Sequence, residues 1–188
     1  MKKVISLILV IVCISVLAMG CNKTKVNDKI QKFSFDKNGN YVGFSDLPLK
    51  YTIENAKADG CFVTQNSEVI VNQDVWNNFI EASLRKENAN IRMVQFYTEN
   101  KESPFFTDLF YNDGYYYLFD SSAVNLKKEP FLYLLTLECK IKNPFKNTSV
   151  IVLTNDSTLT YEKVEMRLIS SYTDYMKSVP PFRIVMFK

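Results

Sequence analysis

Apolar positions recur along this chain with two spacings, every second residue and every third or fourth, and the alternation of the two predicts the elements. Phe131, Tyr133, Leu135, Leu137, Cys139 and Ile141 share one face of a strand, while Leu132 and Leu134 on the other face give way to Thr136, Glu138 and Lys140. That strand is half-buried and runs towards solvent. Ile91 to Thr98 is apolar on both faces, as a central strand requires, and Val150 to Thr154 is a short buried strand. Cys61 to Thr64, Glu68 to Val71 and Phe182 to Phe187 complete the single strands, the last fixed by Pro180-Pro181, which blocks further helix. Helical spacing appears at Gln73 to Glu87, where Val75/Phe79, Trp76/Ile80 and Ile80/Leu84 build one stripe behind an Asn72 cap. Trp76 reads as a core anchor of that stripe. Thr52 caps a short helix, Ile53 to Asp59, stopped by Gly60. Thr160 caps Tyr161 to Tyr172, with Tyr161, Val164, Leu168 and Tyr172 on its apolar side.

Two turn signals add hairpins. Asn38-Gly39 centres one over Phe33 to Phe44, and pairing across it sets Phe33 opposite Phe44 and Phe35 opposite Val42. Asn112-Asp113-Gly114 joins Phe105–Tyr111 to Tyr115–Asp120, a hairpin carrying eight aromatic residues. Both faces of such a hairpin are buried only if the sheet is covered on both sides. Tyr115, Tyr116 and Tyr117 are therefore a candidate contact surface, set against the simpler reading of aromatic cross-strand pairs. Together the elements predict an α+β fold: one domain over residues 33–188, a mostly antiparallel sheet of about 6–8 strands, and two main helices packed on one face. A more closed, barrel-like structure with peripheral helices is the alternative.

The first residues follow another pattern. Met1-Lys2-Lys3 is cationic, Val4 to Met19 is apolar but for Ser6 and Ser15, and polar sequence begins after Cys21. Charge, hydrophobe and small residues in that order make a secretory signal. Leu17-Ala18-Met19-Gly20-Cys21 resembles the lipobox of bacterial lipoproteins: the thiol takes up a diacylglyceryl group, and the small Gly20 lets the peptidase approach. Residues 1–20 are thus expected to be removed, Cys21 to be lipidated, and residues 21–32 to form a flexible lysine-rich tether. Two acyl chains suffice for stable attachment to a membrane. Ala18-x-Gly20 also suits an ordinary signal peptidase. The apolar run is long for a signal core of ~7–15 residues and near the ~17 of a membrane span, so an uncleaved anchor stays open.

Composition narrows the chemistry. Without residues 1–20, 168 residues keep 21 of the 23 Lys+Arg and all 20 Asp+Glu, a net charge of +1. Such a balance offers no basic face for nucleic acid. The chain has no histidine, which removes Ser-His-Asp and Cys-His catalysis, HExxH sites and His-ligated zinc or haem. No cofactor is expected. Cys13 falls in the signal and Cys21 carries lipid, leaving Cys61 and Cys139 as either buried thiols or, in an exported protein, a possible disulfide. Asp36-x-Asn38-x-Asn40 begins like a calcium loop, but position six is Tyr41 instead of Gly and position twelve is Leu47 instead of Glu. It is not read as a metal site.

Ala58-Asp59-Gly60-Cys61-Phe62-Val63, Trp76-Asn77-Asn78-Phe79, Ile91-Arg92-x-Val94 with Tyr97-Thr98, and Asp108-Leu109-x-Tyr111 resemble an uncharacterised family of small lipoproteins from clostridia and related Firmicutes, its domain being of unknown function. Val152-Leu153-Thr154-Asn155 and Ser170-Ser171 extend the likeness over most of residues 50–188. The resemblance implies an envelope lipoprotein and supplies no catalytic residues. The function expected on all these grounds is a membrane-anchored, extracytoplasmic, non-enzymatic binding domain, its partner an envelope protein, peptide or wall component. Two alternatives are a solute-binding lipoprotein and a hydrolase built on paired carboxylates, for which Asp108, Asp120 and Glu138 are the nearest candidates.

Overall fold

The computed structural model describes residues 31–48, 50–98, 100–139 and 149–188. The export segment, Cys21 and all but the last two residues of the tether lie outside that range, as do Lys140 and Ile141 of the long strand. Helix α1 spans Ile53–Ala58, followed by β1 (Phe62–Gln65), β2 (Glu68–Val71) and α2 (Gln73–Leu84). Three strands follow: β3 (Ala89–Tyr97), β4 (Asn100–Asn112) and β5 (Tyr115–Asp120). The last part holds β6 (Tyr133–Glu138), β7 (Ser149–Thr154), α3 (Tyr161–Ile169), α4 (Thr173–Ser178) and β8 (Phe182–Phe187). The fold is α+β with eight strands, divided between two sheets. One has the order β2-β1-β3-β4-β5 and the other β6-β7-β8. All pairings are antiparallel except β1 with β3.

Period-two alternation in β3, β4 and β5 sends side chains into two different cores. Ile91, Met93, Leu109, Tyr111, Tyr116 and Leu118 face one way, into a cluster closed by Trp76 and Phe79 of α2 and by Ile151 and Leu153 of β7. Val94, Phe96 and Phe106 face the other way, under Tyr51 and Ala56. Phe110, Tyr117 and Phe119 share that second face with Tyr41. The five-stranded sheet is thus covered twice, by α2 and the second sheet on one side and by residues 33–48 with α1 on the other. The second sheet is covered twice as well: Ile151 and Leu153 join the first core, whereas Val150 and Val152 pack against Tyr161 and Val164 of α3. Each main helix therefore serves its own sheet. Fully burying such a side chain stabilises by about 1.5–3 kcal/mol, which makes β7, buried from Val150 to Thr154, the strand that joins the two halves.

Local chemistry explains where the elements stop. Thr52 caps α1 in a reciprocal box with Asn55. Asn72, expected as the cap of α2, is instead left-handed (φ 58) and makes no cap bond; its Nδ2 donates to the Cys61 carbonyl at 2.8 Å. It ties β2 back to β1. The helix expected over 161–172 breaks at Ser170, whose backbone is extended, and resumes as α4. As a result only Tyr161 and Val164 of the expected stripe are buried, while Leu168 and Tyr172 are exposed.

The hairpins differ in register. The second hairpin forms where expected, with Asn112 drawn into β4: Asp113 and Gly114, both left-handed, make a two-residue turn that pairs Asn112 with Tyr115. The first hairpin is shifted by one residue, so that Phe35 pairs with Tyr41 instead of Val42. Gly39 (φ +76) adds a bulge after a turn closed from its own N–H to the Asp36 carbonyl at 2.9 Å. The Asp36 carboxylate locks that turn by accepting from the Asn38 and Asn40 N–H groups, each at 2.8 Å.

Candidate functional site

The structure separates the residues that the sequence nominates. Tyr115 is 41% exposed, but Tyr116 and Tyr117 are buried on opposite faces of β5. The contact surface expected from Tyr115 to Tyr117 is therefore not formed. Successive strand residues point to opposite sides, and both sides of this sheet are covered. The Tyr116 hydroxyl donates to Ser83 Oγ of α2 at 3.1 Å, and the Tyr117 ring lies 4.9 Å from that of Phe33. These rings are core.

Cys61 and Cys139 are not disulfide-bonded. Cys61 belongs to the cluster under α1, whereas Cys139 packs with the cluster under α3, on the other sheet. The two thiols serve different layers, and the possible bridge between them is not formed. Burial pushes the Cys61 thiol above its ordinary 9.0, and the Tyr51 hydroxyl lies 3.6 Å from its Sγ.

The three carboxylates do not converge either. Asp120 Oδ1 accepts from the N–H and the hydroxyl of Ser122, at 2.8 and 2.7 Å, and so shapes a turn. Glu138 is exposed at the end of β6, opposite Ser149. Asp108 is fully buried in β4, one position along from Thr107, the partner of Asp120. Among the described residues no three His, Cys, Asp or Glu side chains group as metal ligands.

Asp108 is instead the centre of a polar cluster that sequence reasoning missed. Arg92 Nε donates to Oδ1 at 2.7 Å and Nη2 to Oδ2 at 2.6 Å, a bidentate pair across β3 and β4. The Tyr41 hydroxyl donates to Oδ2 at 2.7 Å, and Arg92 Nη2 also donates to the Gly43 carbonyl at 2.8 Å. Burial pulls the Arg92 guanidinium down, but its bonds to Asp108 outweigh that and hold it above its ordinary value. Burial, and then the Asp108 charge beside it, push the Tyr41 hydroxyl far above 10.0. No buried side-chain nitrogen or oxygen among the described residues lacks a partner. With its carboxylate sealed, the cluster fastens residues 41–43 to the sheet. A signal was available: Arg92 is the one charge of β3, and Asp108 sits inside the largely apolar run from Phe105 to Tyr111.

Exposed apolar surface concentrates elsewhere, on α3 and just beyond it. Leu168 is 53% exposed, Ile169 72% and Tyr172 80%. Leu168 and Ile169 border a shallow groove of about 160 Å³, walled also by Val150, Tyr161, Val164 and Phe187. Glu165 is its one charged wall. The volume is close to the ~150 Å³ of an apolar cavity that takes up benzene and below the ~300 Å³ at which ligand pockets begin. It suits one apolar side chain.

Comparison with protein-family models, curated proteins and solved structures returns no match.

Proposed function

We propose that this protein is an extracytoplasmic lipoprotein, anchored to the cell membrane through Cys21, whose domain is a non-enzymatic binding module of the cell envelope. The anchor rests on Leu17-Ala18-Met19-Gly20-Cys21, at the switch from apolar to polar sequence. The likeness to small clostridial lipoproteins supports the same placement. Among the described residues no helix is long and apolar enough to cross a membrane.

The observation that carries the binding role is the exposed end of α3. Large apolar residues gathered beside a groove, at the point where the predicted helix breaks, are a usual mark of a contact surface. The groove's size supports a protein or peptide partner inserting one aliphatic or aromatic side chain over a solute, and its one charge, Glu165, leaves the recognition mainly apolar. The separation of Asp108, Asp120 and Glu138 gives a hydrolase no support.

Two measurements test the reading. Mass spectrometry of the membrane fraction should find the mature chain beginning at a diacylated Cys21; an unmodified thiol there refutes the anchor. A photo-crosslinker at Ile169 should yield one defined adduct in cells, absent from a control position at Glu81 and lost with Leu168→Glu. The same adduct from both positions, or its survival in Leu168→Glu, refutes the binding surface.

A further inference from the structure

We propose that Phe33, Phe35 and Tyr117 form a recognition site for quaternary ammonium groups, which the side chain of Lys128 closes from within the chain. The site lies on the five-stranded sheet, apart from the α3 surface, and does not depend on the role assigned to it.

The three rings make a box. Phe33 and Tyr117 lie 4.9 Å apart between centroids, and Phe35 meets Phe33 edge-on at 5.0 Å. Lys128 Nζ sits 4.9 Å from the centres of both Phe33 and Tyr117 and 5.9 Å from that of Phe35. A cation over ring faces within about 6 Å is held by their quadrupoles, and several rings about one cation are the usual means of recognising a methylated ammonium. Among the described residues no carboxylate lies within ion-pair distance of Lys128. Its charge therefore has ring faces as its protein partners.

The spacing favours a quaternary occupant. A methyl carbon stands about 1.5 Å from its nitrogen and touches a ring face at about 3.5 Å, which sets the nitrogen about 5 Å away. That matches the 4.9 Å seen here. A lysine ammonium is a compact, strongly hydrated charge whose three N–H donors gain little from ring faces. A quaternary nitrogen has no N–H to satisfy and presents methyl groups to all three rings.

Lys128 can leave without the backbone following. Its side chain is exposed, and bonds on either side fix the segment that carries it. The Tyr41 N–H donates to the Leu126 carbonyl at 2.9 Å, and Asn40 bridges to Lys127. Phe131 and Tyr116 exchange both backbone bonds, at 2.8 and 2.9 Å. The backbone around Lys128 thus keeps its place when the plug swings out.

The test is a ligand-detected NMR titration of the full chain in maltoside micelles with tetramethylammonium chloride. 3,3-Dimethylbutan-1-ol and choline form a neutral and charged pair of the same shape. Lys128→Ala should bind tetramethylammonium saturably and about two- to fivefold tighter than the native chain, the gain expected from removing one competing cation held at an exposed site. Choline should bind and the neutral alcohol should not. Lys128→Phe removes the same charge but refills the box with a ring, and should bind neither cation. Absence of saturable binding to Lys128→Ala, equal binding of choline and the alcohol, or equal binding to Lys128→Ala and Lys128→Phe would each overturn the proposal.

Discussion

Arg92 and Asp108 lie directly opposite each other on β3 and β4 and bond through both carboxylate oxygens, with Asp108 fully buried and the Arg92 side chain 12% exposed. Removing one partner of such a pair strands the other charge in a poorly solvated site, at a cost of about 3–5 kcal/mol. Asp108→Ala should lose stability on that scale in urea unfolding. The double substitution Arg92→Met/Asp108→Leu should recover part of the loss, because neither charge is then left buried, although the Tyr41 hydroxyl and the Gly43 carbonyl lose their partners. A loss below about 1 kcal/mol in the single variant would show that water reaches the site and that the pair does not fasten the sheet.

Four hydroxyls and one thiol tie stability to alkaline pH. Tyr41, Tyr51, Tyr116 and Tyr117 are each held above the ordinary 10.0, and Cys61 above 9.0, in every case chiefly by burial. In the unfolded chain these groups release protons near their ordinary values while the native state retains them. Above those values the native state binds more protons, so stability is fully present below about 9 and falls as pH rises. Phenolate absorbance and circular dichroism should therefore change together in an alkaline titration. Complete tyrosine ionisation with the secondary structure intact would contradict the burial described here.

The elements were legible because periodicity is a local property. Thr52 and Thr160 cap their helices as expected, and Phe182–Phe187 closes the chain as a strand. What covers a face is not local. Tyr116 and Tyr117 read as surface candidates only until α2 and residues 33–48 are seen to cover both sides of β5. Asn72 carries the composition of a cap, yet its side chain is taken by a carbonyl eleven residues earlier. The first hairpin slips by one residue because Gly39 serves as a bulge rather than as one of two turn residues. Lys128 gave no signal at all, since the rings around its ammonium come from positions far from it in sequence.

Gly43 is fixed by a close approach. A Cβ there would run into the hydroxyl and ring of Tyr41, which is itself bonded to Asp108. Gly43→Ala should displace Tyr41 and cost about 1–3 kcal/mol, the usual range for overpacking. The same substitution in a Tyr41→Ala background should cost less, because the colliding ring is gone. Equal costs in the two backgrounds would place the strain elsewhere.

The two cysteines of the domain should react separately. Cys61 is buried with its thiol pushed up, whereas Cys139 is partly exposed on the other sheet. Maleimide labelling of the native chain followed by peptide mapping should mark Cys139 first and Cys61 only on unfolding. A peptide joining Cys61 to Cys139 in the unreduced digest would mean that the layers approach each other more closely than described.

Leu153 and Leu168 provide the comparison that distinguishes core from contact surface. Leu153 is fully buried in β7 where both sheets meet, and Leu168 is 53% exposed on α3. Truncating a buried leucine costs about 2–5 kcal/mol, so Leu153→Ala should come close to unfolding a domain of ordinary stability. Leu168→Ala and Ile169→Ala should each stay within about 0.5 kcal/mol in the same unfolding assay, as exposed positions do. Residues that the fold does not need yet leave apolar beside a groove are those a partner can use. A loss above about 2 kcal/mol in Leu168→Ala would return this surface to the core and remove the ground for a binding role.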